Sequence, residues 1–183
     1  MAVRPVRLYG DPVLRQKALP VATVDDTVRE LVRDLRDTMR AYNGVGLAAN
    51  QVGVKQRVLV VDVPLDDEQR ARFALVNPVV TRRFGSETAE EGCLSMPGIY
   101  EDVVRAERVQ VEALDENGKP IRIEADGYLA RALQHEVDHL DGVLFTDRLS
   151  PLRRQFLRRS LDALARGEMP DGYRSPMESG GER

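Results

Sequence analysis

The stretch Gln134-His135-Glu136-Val137-Asp138-His139 carries the residues best suited to chemistry. On a helix each residue advances about 100°, so positions i and i+4 lie roughly 40° apart. His135 and His139 then project from one face, one turn apart, and offer two imidazole nitrogens to one metal ion. Glu136 lies about 60° from His139, close enough to reach a water on that ion. Two histidines do not complete a catalytic site, which needs three protein ligands and an open position. The chain has no other histidine, so the third ligand is a Cys, Asp or Glu. Cys93 is the single cysteine, and thiolate binds divalent transition metals well.

These groups need a helix beneath them. From about Tyr128 to Leu140, Leu129, Leu133, Val137 and Leu140 form an apolar stripe beside the ligand face. One side of that helix is buried and the next faces a site. Upstream, Val109, Val111 and Ala113 alternate with polar residues, and Ile121, Ile123 and Ala125 do so after an Asn117-Gly118 turn, which predicts a hairpin. Arg57–Val63 reads as a central strand. Phe73–Asn77 is another, interrupted by Pro78, with Val79-Val80 continuing at an edge or after a bend. Pro64–Arg72 is a polar loop, and Thr81–Glu90 a loop or short hairpin.

A first helix runs from about Thr27 to Tyr42, with Val28, Leu31, Val32, Leu35 and Met39 on the 3.6 period. Thr27 and Glu30 form its capping box. Asn43–Gly53 is a loop of small residues that lets another backbone approach closely, with Gln51 as an aimed donor. Phe145–Leu149 is a short extended piece. Ser150 caps a last helix, opened by Pro151, that runs to about Arg166. Strands followed by a buried helix predict an α+β fold. Its mixed, mostly antiparallel sheets pack around the central motif-bearing helix, with further helices near both termini. Residues 1–166 make one domain, and 167–183, rich in Gly, Pro and charge, a flexible tail.

Bulk composition excludes several classes. A length of 183 residues with 42% hydrophobic residues supports one domain with a core. A net charge of −3 gives no basic field, so no sequence-specific nucleic acid partner is expected. No apolar run approaches the ~20 residues of a membrane span, and the N-terminus lacks a signal peptide's apolar core. One cysteine permits no internal disulfide, which fits a cytoplasmic location.

Three motifs then occur in order: Gly44-Val45-Gly46-Leu47-Ala48-Ala49-Asn50-Gln51, Glu91-Gly92-Cys93-Leu94-Ser95, and His135-Glu136-Val137-Asp138-His139. Together they resemble the peptide deformylases, over about residues 5–165. The resemblance implies one divalent transition metal held by Cys93, His135 and His139. It implies Fe2+ in the cell, with Zn2+, Ni2+ or Co2+ as substitutes. The implied reaction removes the N-formyl group from formyl-methionyl nascent peptides and releases formate. Glu136 would be the general base and acid, and the Gln51 amide and Leu94 backbone N–H would stabilise the oxyanion. Val45, Gly46, Gly92 and Leu94 would line the substrate channel. Tyr128 and Ala132 are candidates for the methionine pocket and Tyr100 for a peptide contact. Arg131 is expected to line the pocket with its stem while its guanidinium reaches solvent.

Two other readings compete. A zinc endopeptidase would draw its third ligand from downstream, where Asp141 and Asp147 are the nearest carboxylates. A non-catalytic module would dock on the ribosome through the arginine-rich last helix. An enzyme acting on nascent chains would also profit from that ribosome contact.

Overall fold

The computed structural model describes residues 2–66 and 68–177. A five-stranded antiparallel sheet has the order β1-β2-β3-β6-β7, built from β1 (Gly46–Ala48), β2 (Val58–Pro64), β3 (Arg70–Phe84), β6 (Arg108–Leu114) and β7 (Pro120–Asp126). A separate two-stranded ribbon pairs β4 (Glu87–Cys93) with β5 (Met96–Arg105). Among the described residues three α-helices complete the fold: α1 (Asp26–Ala41), α2 (Gly127–Leu140) and α3 (Pro151–Ala165). The fold is α+β, as expected. No described helix is long and apolar enough to cross a membrane.

Alternation along β2 explains the layering. Val58 and Val60 face α1 and join Leu31, Leu35 and Met39 in one core. Leu59 and Val61 point the other way and join Leu129, Leu133, Val137 and Leu140 of α2 in a second. The strand is apolar at every early position because both faces are covered. A third core gathers Leu14, Met96, Val103, Phe145, Leu161 and Leu164, and ties β5 to α3.

Several local expectations are corrected. Asp25, not a Thr27–Glu30 box, caps α1: its extended backbone lets the carboxylate accept from Val28 N at 3.0 Å. The small-residue loop contains β1, paired with β2 as Gly46↔Val61 to Ala48↔Leu59, followed by a 3-10 turn at Ala49–Val52. Segment 145–148 is a 3-10 turn rather than extended, closed by Asp147 Oδ2 accepting from Leu144 N at 2.9 Å.

The polar run from Thr81 is strand, not loop. β3 carries on to Phe84 and β4 starts at Glu87. Pro78 does not end β3, because there the strand changes partners. Pairing with β2 ends at Val76, and pairing with β6 runs from Val76 on, with a register shift between Val76 and Val79. Asn77, at φ 54, makes the bend, and its side chain holds both Val21 N and Val21 O at 2.8 Å.

Candidate active site

The β4–β5 ribbon and α2 build the site between them. β4 and β5 pair from Glu87↔Arg105 to Cys93↔Met96, with a register shift after Gly92. Only Leu94 and Ser95 separate Cys93 from Met96, so the thiol sits at the tip of a tight hairpin. That tip lies over the motif face of α2. Cys93 Sγ is 3.2 Å from His139 Nε2, which is 3.1 Å from His135 Nε2. The three ligand atoms all lie within 4.8 Å of one another. Tetrahedral bonds to a transition ion place such N···N and S···N pairs at roughly 3.3–3.5 Å. The donor set and its spacing therefore fit one metal ion.

Glu91 fixes the first histidine. Its Oε2 is 2.9 Å from His135 Nδ1, while Arg105 donates to both carboxylate oxygens at 2.7 and 2.9 Å. Burial opposes ionisation, yet the hydrogen bonds from Arg105 and His135 hold the Glu91 carboxyl down at about 2. An ionised Glu91 keeps the proton on Nδ1 and leaves the Nε2 lone pair for an ion. Burial holds His139 well below its ordinary pKa, which also preserves its lone pair. Asn50 Nδ2 donates to the His139 carbonyl and ties the helix to the turn after β1.

Glu136 is buried at the floor of the site. Its carboxyl is pushed up to about 7, first by burial. Its Oε2 has no hydrogen-bond partner among the described residues. A Cβ on Gly46 would collide with this carboxylate, so only glycine permits β1 to pass so close. Gln51 is oriented by accepting from Ala48 N at 2.9 Å through Oε1. Its Nε2 then points at the site, 3.2 Å from Ser95 Oγ and 3.6 Å from Cys93 Sγ.

A cleft of about 440 Å³ opens over these groups. Val45, Gly46, Gln51, Gly92, Leu94, Tyr100, Tyr128, Arg131, Ala132 and Glu136 all line it, together with Cys93 and His135. His139 is buried beneath, 1% exposed. Arg131 is placed differently from expectation. Its guanidinium does not reach solvent but donates to Glu91 Oε1 at 2.8 Å and to the carbonyls of Val103 and Glu87 at 2.8 and 3.0 Å. The ionised Glu91 draws it inward, since a buried carboxylate needs a compensating cation. Asp141 and Asp147 are elsewhere. Asp141 pairs with Arg57 at 2.7 Å and Asp147 with Arg15.

Sequence reasoning missed the supporting ionic network. Asp138, inside the motif, accepts from Arg105 at 2.5 Å and from Arg148 at 2.6 and 2.7 Å. Glu91, Arg105, Arg131 and Asp138 are all buried. The available signal was the charge of Asp138 inside the motif of a helix that is buried on both sides.

The chain matches the family model described as polypeptide deformylase over residues 3–155. A peptide deformylase from Alkalilimnicola ehrlichii is 51% identical over 166 residues, covering 91% of this chain and 93% of that one. The crystal structure of a peptide deformylase from Legionella pneumophila, 46% identical, matches with a TM-score of 0.83 over 92% of this chain and 100% of that one. One from Ehrlichia chaffeensis in complex with actinonin, 38% identical, matches at 0.85 over 93% and 100%. Agreement of sequence along nearly the whole chain, of fold, and of a Cys-His-His cluster beside a buried glutamate leads to one conclusion: this chain belongs to the peptide deformylase family.

Proposed function

We propose that the chain performs the family's hydrolysis at the Cys93–His135–His139 cluster, with Glu136 moving the proton. The observation that carries this reading is the convergence of those three ligand atoms beneath a cleft that also holds the Glu136 carboxylate. Cys93, His135 and His139 would hold the ion, which when bound acts as a Lewis acid and lowers the pKa of water toward roughly 7. Fe2+ is the proposed cellular metal. Zn2+, Ni2+ and Co2+ suit the same thiolate and imidazole donors.

The chain's own residues account for the remaining steps. A formylated peptide lies along Val45, Gly46, Gly92 and Leu94, with its methionine side chain toward Tyr128 and Ala132. Glu136, at about 7, is poised both to take and to give a proton near neutral pH. It removes a proton from the attacking water, whose oxygen bonds to the formyl carbon. Negative charge grows on the formyl oxygen, where the Gln51 amide and the Leu94 N–H donate to it. One such donor is worth about 3–4 kcal/mol. The C–N bond then breaks, Glu136 returns the proton to the leaving amine, and formate departs.

Glu136→Gln tests the assignment. Metal content should stay at wild-type level while formate release from formyl-Met-Ala-Ser falls on the order of 10³-fold. Loss of metal together with activity, or retained turnover, would remove Glu136 from this role. Metal analysis after anaerobic purification tests the iron assignment.

α3 also supports a ribosome contact in the cytoplasm. Phe156 is 71% exposed, and Arg154 and Arg159 lie exposed on the same helix. Phosphate contacts weaken steeply with salt. The double variant R154E/R159E should lose salt-sensitive co-sedimentation with ribosomes, and unchanged co-sedimentation would refute the contact.

A further inference from the structure

The segment after α3 occupies a place that its composition does not announce. Met169 packs on the third core. Pro170 then sits on Gly98, where an added Cβ would come within 2.8 Å of the proline ring. The chain turns, with Tyr173 N donating to Pro170 O at 3.0 Å. It reaches the opposite wall at Ser175, whose Oγ is 3.4 Å from the Tyr42 hydroxyl. The segment thus crosses the cleft from β5 to the residue that ends α1, and Tyr173, Arg174 and Pro176 line it.

The crossing lies along the path of the substrate. The wall below it runs from Tyr42 to Gly46, and Gly46 touches Glu136. A peptide whose formyl group is at Glu136 and whose chain follows this wall meets the crossing segment with its later residues. The lining has two arginines. Arg131 is buried and bonded to Glu91, whereas Arg174 is exposed. Glu90, the exposed acid of the lining, is on β4.

We propose that Met169–Pro176 forms an outer subsite of the cleft and that Arg174 selects acidic residues downstream of the formylated methionine. The proposal rests on the reading of this cleft as the formyl-peptide site. An exposed ion pair of this kind changes kcat/KM by roughly 2–5-fold and is screened by salt.

The test uses the full-length, metal-loaded enzyme and formyl-Met peptides with Asp or Lys at the second, third or fourth position. Wild type should prefer Asp over Lys at the third or fourth position by roughly 2–5-fold, less at high salt. R174A should bring that ratio close to one, and R174E should invert it. Ratios unaltered by R174E at every position would overturn the proposal. So would an equal rise in rate for both peptides, which would describe an obstructing strap and not a subsite. Failure to release formate from formyl-Met-Ala-Ser would instead count against the reading of the cleft itself.

Discussion

The two sides of α2 are both buried, but by opposite means. One side presents Leu129, Leu133, Val137 and Leu140 to the five-stranded sheet. The other carries Arg131, His135, Asp138 and His139, which face the β4–β5 ribbon and are also 1–8% exposed. On the apolar side, burial stabilises by removing surface from water, about 1.5–3 kcal/mol for each large side chain. On the polar side, burial is costly, and each charge is tolerated only because an opposite charge meets it. Glu91 touches Arg105, Arg131 and His135, and Asp138 touches Arg105 and Arg148. The apolar side sets how stable the helix is. The polar side sets where its histidines point.

Substitutions on each side should therefore fail in different ways. The largest effect is expected for Glu91→Gln. It leaves Arg105 and Arg131 without their carboxylate and frees the His135 ring, so metal affinity should fall about 10–100-fold. Stability should drop by about 3–5 kcal/mol, because the cations stay buried. Titration of the apoenzyme with Zn2+ beside a denaturant curve would show both losses, and an unchanged affinity would mean that Glu91 does not set where the histidines point.

Leu133→Ala sharpens the same comparison from the other side. Leu133 is fully buried, so the cavity should cost about 2–5 kcal/mol. The melting temperature should drop by roughly 5–15 °C. Metal affinity and kcat at 25 °C should hold. A loss of metal as deep as that of Glu91→Gln would mean that the two sides are not separable.

The smallest effect belongs to Asp141→Ala, just past the end of α2. Its pairing with Arg57 is half open to solvent and worth about 0–1 kcal/mol. Metal content and formate release should match wild type. A drop in bound metal would revive a downstream carboxylate as ligand.

Much of this molecule was legible in its sequence. The i, i+4 histidines need only a helix to share a face, so the motif predicted its own geometry. Likewise the Asn117-Gly118 turn and the alternation around it predicted β6 and β7, because turn chemistry and pleat are local. The capped start of α3 at Ser150 and Pro151 was local too. The extent of β3, β4 and β5 was not. Thr81–Arg83 and Glu87–Glu90 are mostly polar strand residues, and no alternation of apolar and polar positions marks them.

The sequence by itself determined the helix and set His135, Glu136 and His139 within one turn of it, since that depends on spacing alone. Only the tertiary structure decided what surrounds them. It brought Cys93 over the imidazoles, because a hairpin tip can be placed only by the ribbon that carries it. It also turned Arg131 inward, because an ionised carboxylate away from water outweighs the pull of solvent on a guanidinium. The segment from Met169 to Pro176 was set across the cleft in the same way, by contacts with Gly98 and Tyr42 that no local pattern records.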